Sequence, residues 1–257
     1  MEYIQGEKFR SLSDDKNIFY CNTHDVDDFF RNKCPKTDFI LISHNSDGGI
    51  FDTKRRWCDA DFSLCPPNLK KWFAQNVGYS HEKIQSLPIG LENSEWFVQD
   101  HKIYKLKEIV KIDKDIKNLV YLNLNIQTNP TERGYIYSLA NGVNHISTQY
   151  GRNGINYDNY LYNLYNHVFM ICPPGNGIDV HQPWESMYIN TIPIQKKSIN
   201  TLYYTDLPIC YVDDWEQIRD EEFLTKEYNR ISSTKWCLEK LDFNYWKNLI
   251  ISEALKI

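Results

Sequence analysis

One stretch in the second half of the chain concentrates groups able to grip an anion. It reads Cys172-Pro173-Pro174-Gly175-Asn176-Gly177-Ile178-Asp179-Val180-His181-Gln182-Pro183-Trp184-Glu185. An apolar run at 168–172 precedes it and helical spacing begins at Trp184, so the stretch is predicted to join a buried strand to a helix. In parallel α/β sheets, ligands sit at the carboxyl ends of strands. Two glycines allow a ligand to approach the backbone closely. A helix start adds unpaired N–H groups and positive potential, a combination suited to a diphosphate. Asn176 and His181 can add donors. Glu185, one turn inside the helix, can accept hydrogen bonds from ribose hydroxyls. The same residues also fit a tight turn with a capping acid, because glycine loops are common.

A second polar turn, His44-Asn45-Ser46-Asp47-Gly48-Gly49, follows the apolar run 38–43, which has the pattern of a buried strand. Pro67 near its start and Gly78 just past its end predict a helix over 66–78. Residues 84–89 predict a strand ending in Pro88-Ile89-Gly90. The Lys-rich stretch 99–118 predicts an amphipathic helix and then a linker, with a domain boundary near 110–117. Beyond it, strands are predicted at 119–124, 168–172, 191–195 and 208–212. Helices are predicted at 130–140, capped by Thr128 or Asn129, at 157–165 and from 184. Strands alternating with helices at this spacing imply parallel βαβ units. Residues 244–257 form a terminal helix with an apolar stripe at Trp246, Leu249, Ile250 and Leu255. Tyr157, Tyr160 and Tyr162 offer rings for a nucleobase, and Trp57 and Trp72 for a sugar, although such aromatics are ordinarily core.

The 257 residues carry 29 basic and 34 acidic side chains, a net charge of −5, which argues against a general nucleic-acid binder. With 42% apolar and 14% aromatic residues, the chain can bury a sizeable core and is neither disordered nor collagen-like. It has no apolar run near 18 residues and no signal-peptide pattern, so a cytoplasmic protein is expected. The seven cysteines form no CxxC pair and no zinc spacing. They read as free thiols of a reducing compartment, with a Cys58–Cys65 disulfide left open. No G-x-G-x-x-G follows an early strand, which argues against a dinucleotide-dependent oxidoreductase.

Read as F-M-I-C-P-P-G-N-G-I-D-V-H-Q-P-W-E-S-M-Y-I-N-T-I-P, residues 169–193 resemble the nucleotide-sugar-binding segment of exostosin-like glycosyltransferases. That segment has a strand, P-x-G-N-G, then H-R-x-W-E, a helix and G-x-I-P. The nearest pattern is that of the short forms found in large DNA viruses and some bacteria. Thr128-Asn129-Pro130-Thr131-Glu132-Arg133 is similar to the family's T-N-P-x-x-R, and the segments 87–93 and 207–215 also match. Gln182 stands where the family often has Arg, and Asn190 where Gly is common.

The resemblance implies an α/β, GT-B-like fold, with two Rossmann-like domains whose parallel sheets face a central cleft. Residues 1–115 would form the acceptor side and 116–240 the nucleotide-sugar side, with a terminal helix over 241–257 packing back on the N-terminal domain. The implied function is transfer of a sugar from a nucleotide diphosphate, UDP favoured, to a glycan or glycoprotein hydroxyl. The implied donor site comprises Asn125, Thr128, Arg133, Pro174, Gly175, Asn176, Gly177, His181, Trp184 and Glu185. Arg133 is the expected diphosphate partner and Arg152 the reserve. No metal or other cofactor is expected, and Asp213-Asp214 reads as a helix cap. An inverting transfer needs a general base on the acceptor side. Asp47 is the first candidate and His44 the second, with Asp52, Asp59 and Asp61 left open. Some retaining relatives carry a glutamate eight positions before the ribose-binding one; here that position is Gly177. A non-catalytic nucleotide- or carbohydrate-binding protein on the same scaffold is the alternative.

Overall fold

Phe39–His44 is buried along its whole length, and its side chains alternate between two separate apolar clusters. Ile40 and Ile42 enter one, Phe39 and Leu41 the other. That is the behaviour of a central parallel strand covered on both faces. The computed structural model describes residues 1–14, 17–94, 101–150 and 155–257. In the first half lie β1 (Ile18–Asn22), β2 (Phe39–His44), β3 (Ile50–Phe51), β4 (Ala60–Asp61), β5 (Leu69–Ala74) and β6 (Ile84–Ser86). A parallel sheet has the order β1-β2-β5-β6, while β3 and β4 form a small parallel pair beside it.

The second half contributes β7 (Asn118–Leu124), β8 (Ile146–Tyr150), β9 (His167–Ile171), β10 (Ile192–Lys196) and β11 (Cys210–Val212). All pairs are parallel and the order is β11-β10-β9-β7-β8. The chain therefore reverses its direction of growth between β7 and β9. In doubly wound sheets that switch point opens the crevice in which ligands bind.

The helices are α1 (Gly6–Arg10), α2 (Val26–Asp28), α3 (His101–Ile109), α4 (Pro130–Ala140), α5 (Tyr157–Tyr165), α6 (His181–Tyr188), α7 (Glu221–Ser233) and α8 (Phe243–Ala254). Asn129 caps α4 with Pro130 at its first turn, and Asn156 caps α5. Asp214 caps the short helix Trp215–Arg219 in a reciprocal box with Gln217. Helix α8 is joined to the first half by Phe243 N–H donating to Glu2 O and by Phe243 packing on Phe9. One apolar cluster runs through both halves, from Ile4, Phe9 and Phe73 to Trp184, Tyr204 and Trp246. No described helix is long and apolar enough to cross a membrane.

The helix predicted over 66–78 is instead strand β5, preceded by a turn. Trp72 and Ala74 enter one cluster while Phe73 enters the other, a period of two that a helix cannot produce. The Pro67 and Gly78 punctuation is real, but pairing between β2 and β6 outweighs it. Lys70 pairs with Asp38 and Lys71 donates to the Glu82 carbonyl. The sequence reading also missed β1, β3, β4, β8 and α7, and α6 begins at His181 rather than Trp184.

Trp72 is fully buried and its indole donates to Ser43 Oγ at 2.8 Å. Trp72→Ala is expected to cost about 3–5 kcal/mol, the usual range for emptying an aromatic core site. Urea unfolding measures this; a loss of a few tenths would be the mark of an exposed helix at 66–78.

Candidate functional site

Arg133 occupies the switch point between β7 and β9. Its Nε donates to Pro174 O at 2.8 Å, Nη2 to Pro173 O at 3.1 Å and Nη1 to Asn125 O at 3.2 Å. It thereby ties the carboxyl end of β7 to the glycine loop after β9, and it is buried beneath that loop. Arg133, the expected diphosphate partner, has each of its three guanidinium nitrogens donating to a backbone carbonyl. Asn125 and Thr128 are likewise used in their own turn. Asn125 Oδ1 accepts from Gln127 N–H and Thr128 Oγ1 donates to Asn125 O. Pro174 O also accepts from Asn129 Nδ2 at 3.4 Å. Arg152 lies outside the described residues.

The loop is held equally firmly from the other half of the chain. Asn76, in a left-handed conformation with φ of 59°, donates through Nδ2 to Ser46 O and Gly48 O and accepts Asp179 N–H at 2.7 Å. A Cβ on Gly177 would stand 2.8 Å from Asn76 Nδ2, which is why the loop needs glycine there. Asp179 accepts from Ile89 N–H at 2.7 Å and from the Trp184 indole at 2.9 Å. Burial pushes its carboxyl up to about 7, against the lowering effect of these donors.

Trp184 is therefore a core residue holding Asp179, at 2% exposure, and the expected ligand contact is corrected. The same holds for Trp72, buried in the first sheet, whereas Trp57 is 79% exposed at the rim of the cleft. Glu185 is buried and its Oε2 accepts from Tyr160 at 2.7 Å. The nearby Tyr157 hydroxyl is buried and faces the same Glu185 carboxylate. Tyr162 is exposed. Helix α6 starts at His181, and its N-cap Val180 makes no side-chain cap; Pro183 in the first turn has no N–H to satisfy. Gln182 Nε2 donates to Asn123 O, and Asn190 has φ of 57°, the left-handed geometry that explains a glycine preference there.

A cleft of about 760 Å³ is lined mostly by the first half, including Asp47, Arg56, Trp57 and Asn93, and from the second half by Asn176 and His181. Asp47 is exposed at this wall. Gly48 beneath it permits a close approach, since a Cβ there would meet Cys58 O at 1.6 Å. His181 Nδ1 lies 2.8 Å from Gly90 O, and the residue lines the cleft. Asp59 is fully buried and accepts from Gly49 N–H and Arg56 N–H, and Asp61 caps the turn at Ser63. The D-x-D spacing, which the expectation of metal independence overlooked, occurs at Asp25/Asp27, Asp59/Asp61 and Asp113/Asp115. No cluster of three or more His, Cys, Asp and Glu able to hold a metal forms among the described residues. Cys58 and Cys65 are both free thiols.

His44 is 1% exposed. Its Nε2 donates to Pro88 O at 3.1 Å and its Nδ1 accepts Asn45 N–H at 2.9 Å. Both nitrogens are engaged, so the ring has no lone pair to offer an acceptor hydroxyl, which corrects its candidacy as base. Protonation would place a hydrogen between Nδ1 and Asn45 Oδ1, 3.2 Å away, but burial outweighs this and lowers the ring to about 4. The residues that sequence reasoning missed are Arg56, Asn76 and the structural role of Asp179. The Arg55-Arg56-Trp57 run, positive charge beside an aromatic, was the available signal for Arg56.

No protein-family model matches the chain, and no curated protein matches its sequence.

A histidine titrating lower in the folded than in the unfolded state contributes stability above the unfolded value, near 6.5, and loses it as pH falls toward 4. His44→Leu, which leaves the buried Pro88 carbonyl short of a donor, is expected to cost about 1–3 kcal/mol at pH 7. The wild-type advantage should shrink between pH 6.5 and 4. Urea midpoints at pH 7 and pH 5 test this, and a gap that widens on acidification refutes the assignment.

Proposed function

We propose that this chain is a glycosyltransferase of GT-B-like build that moves a sugar from a nucleotide diphosphate, UDP favoured, to a glycan or glycoprotein hydroxyl with inversion. One observation carries the reading: Asn176 of the glycine loop and Asp47 of the turn after β2 face the same cleft from the two halves of the chain. The loop stands at the switch point of the second sheet, where doubly wound folds bind nucleotides. The uncapped start of α6 adds N–H groups for a diphosphate.

In this reading the donor lies along the loop at 174–177, with ribose hydroxyls donating to Glu185 on α6. The acceptor enters on the Trp57 side, where an exposed indole suits the apolar face of a sugar ring. Asp47 takes the proton of the acceptor hydroxyl as that oxygen bonds to the anomeric carbon. The bond from this carbon to the diphosphate oxygen breaks, and the electron pair leaves with the diphosphate. Asp47 fits the base better than His44 or Asp59, because its side chain is exposed at the cleft while theirs are held by backbone groups. Backbone N–H groups and cationic side chains carry the leaving charge, so the proposed chemistry needs no metal. Free thiols throughout suit a reducing, cytoplasmic setting.

Asp47→Asn should preserve shape and nucleotide affinity yet lower turnover about 10²–10⁴-fold, the usual effect of removing a general base. Initial rates with a UDP-sugar and a glycan acceptor measure this; turnover within a factor of three of wild type would remove Asp47 from the mechanism. Glu185→Ala removes the charged ribose acceptor and should weaken nucleoside diphosphate binding by about 1.5–3 kcal/mol. Calorimetry on the folded variant decides, and unchanged affinity would move the ribose site elsewhere.

A further inference from the structure

With Arg133 committed to carbonyls below the loop, the cation on the cleft side of the loop is contributed by the opposite half of the chain. We propose that Arg56 binds the diphosphate of the nucleotide sugar and neutralises it as it leaves, an assignment that rests on the glycosyltransferase reading. Arg56 Nη1 donates to Asn176 O of the glycine loop at 2.8 Å, and Nη2 donates to Asp47 O at 3.0 Å. One guanidinium is thus within hydrogen-bond reach of both the loop that holds the donor and the turn that holds the base. The leaving group must pass between those two elements, so negative charge develops beside a group already in place.

The position of Arg56 is set from behind. Asp59, fully buried, accepts from Arg56 N–H at 2.8 Å and from Nη2 at 3.3 Å, and Gly49 N–H anchors the same carboxylate at 3.0 Å. The side chain is nevertheless 45% exposed and faces the cleft. Its carbonyl partners are neutral, and a diphosphate arriving at the loop can replace them as the stronger acceptor. The planar fork suits two phosphate oxygens at once, which a lysine cannot match. Arg10 is a second arginine lining the same cleft, and it packs over the Tyr20 ring rather than against the loop.

The test is calorimetric titration of wild type, Arg56→Gln, Arg56→Lys and Arg10→Gln with UDP, GDP and uridine, each protein first checked by thermal unfolding. Arg56→Gln should weaken binding of the preferred diphosphate about 10–100-fold and leave uridine unchanged. Arg56→Lys should fall between, and Arg10→Gln should stay within about threefold of wild type. If the glutamine variant does not fold, the lysine variant decides, by losing diphosphate affinity without losing uridine affinity. A folded Arg56→Gln that binds the diphosphate as wild type does overturns the assignment, including the case in which Arg56 serves an acidic acceptor. Equal losses for Arg56→Gln and Arg10→Gln also overturn it, since that is a general field effect. Wild type that binds neither UDP nor GDP overturns the functional reading, and the Arg56 assignment with it.

Discussion

The carboxylate of Asp179 is buried between the two halves with no ion-pair partner among the described residues, and the placing of the glycine loop depends on how that group is satisfied. An ionised carboxylate out of water is costly unless donors surround it. Here the donors come from both sides: Ile89 N–H from the segment after β6, and the Trp184 indole from α6. Removing either would leave the carboxylate short of a partner, so the loop cannot drift from the first sheet without a free-energy penalty. Asn76 adds a second tie through the Asp179 N–H and the carbonyls of Ser46 and Gly48. The cleft exists where it does because these contacts hold the turn after β2 and the loop after β9 in register.

That stitching divides the cationic groups by role. Arg133 lies beneath the loop, where low polarity strengthens its bonds to three carbonyls and makes it a structural fastening. Arg56 is half exposed and oriented by a buried carboxylate, so it keeps a face toward solvent and ligand. An arginine is useful to a departing anion when its geometry is fixed beforehand and its donors can be exchanged. Burial denies Arg133 the second property. The cleft also separates the candidate acids in the same way. Asp59 is occupied by backbone donors, while Asp47, on the tip of a turn whose glycine allows close packing below, remains open.

Much of the second half was legible from local pattern. The strand at 118–124, the cap at Asn129, the helix at 130–140, the tyrosine helix and the apolar run before Pro173 all lie close to their expected places. Each combines strong periodicity with a terminator that has a direct steric or hydrogen-bonding cause. The first half was less legible. Residues 66–78 carry helix punctuation, yet Trp72 and Phe73 point to opposite faces of a sheet. Short buried runs do not distinguish strand from helix by themselves, and the pairing partner that decides comes from elsewhere in the chain.

By itself the sequence determined that parallel βαβ units would form, that a glycine loop would follow a buried strand and start a helix, and that a polar turn with Asp47 would end another. These follow from neighbours within about ten residues, through side-chain periodicity, proline and glycine sterics, and capping. The tertiary structure alone decided which polar groups remain free to act. Trp184 and His44 carry chemically able atoms, but partners at Asp179 and at Pro88 already occupy them. Arg56 lies 120 residues from Asn176, and no local pattern could bring the two together. The physical reason is that a donor or acceptor is functional only where folding leaves it unsatisfied, and its satisfaction is set by distant backbone groups that spacing along the chain does not encode.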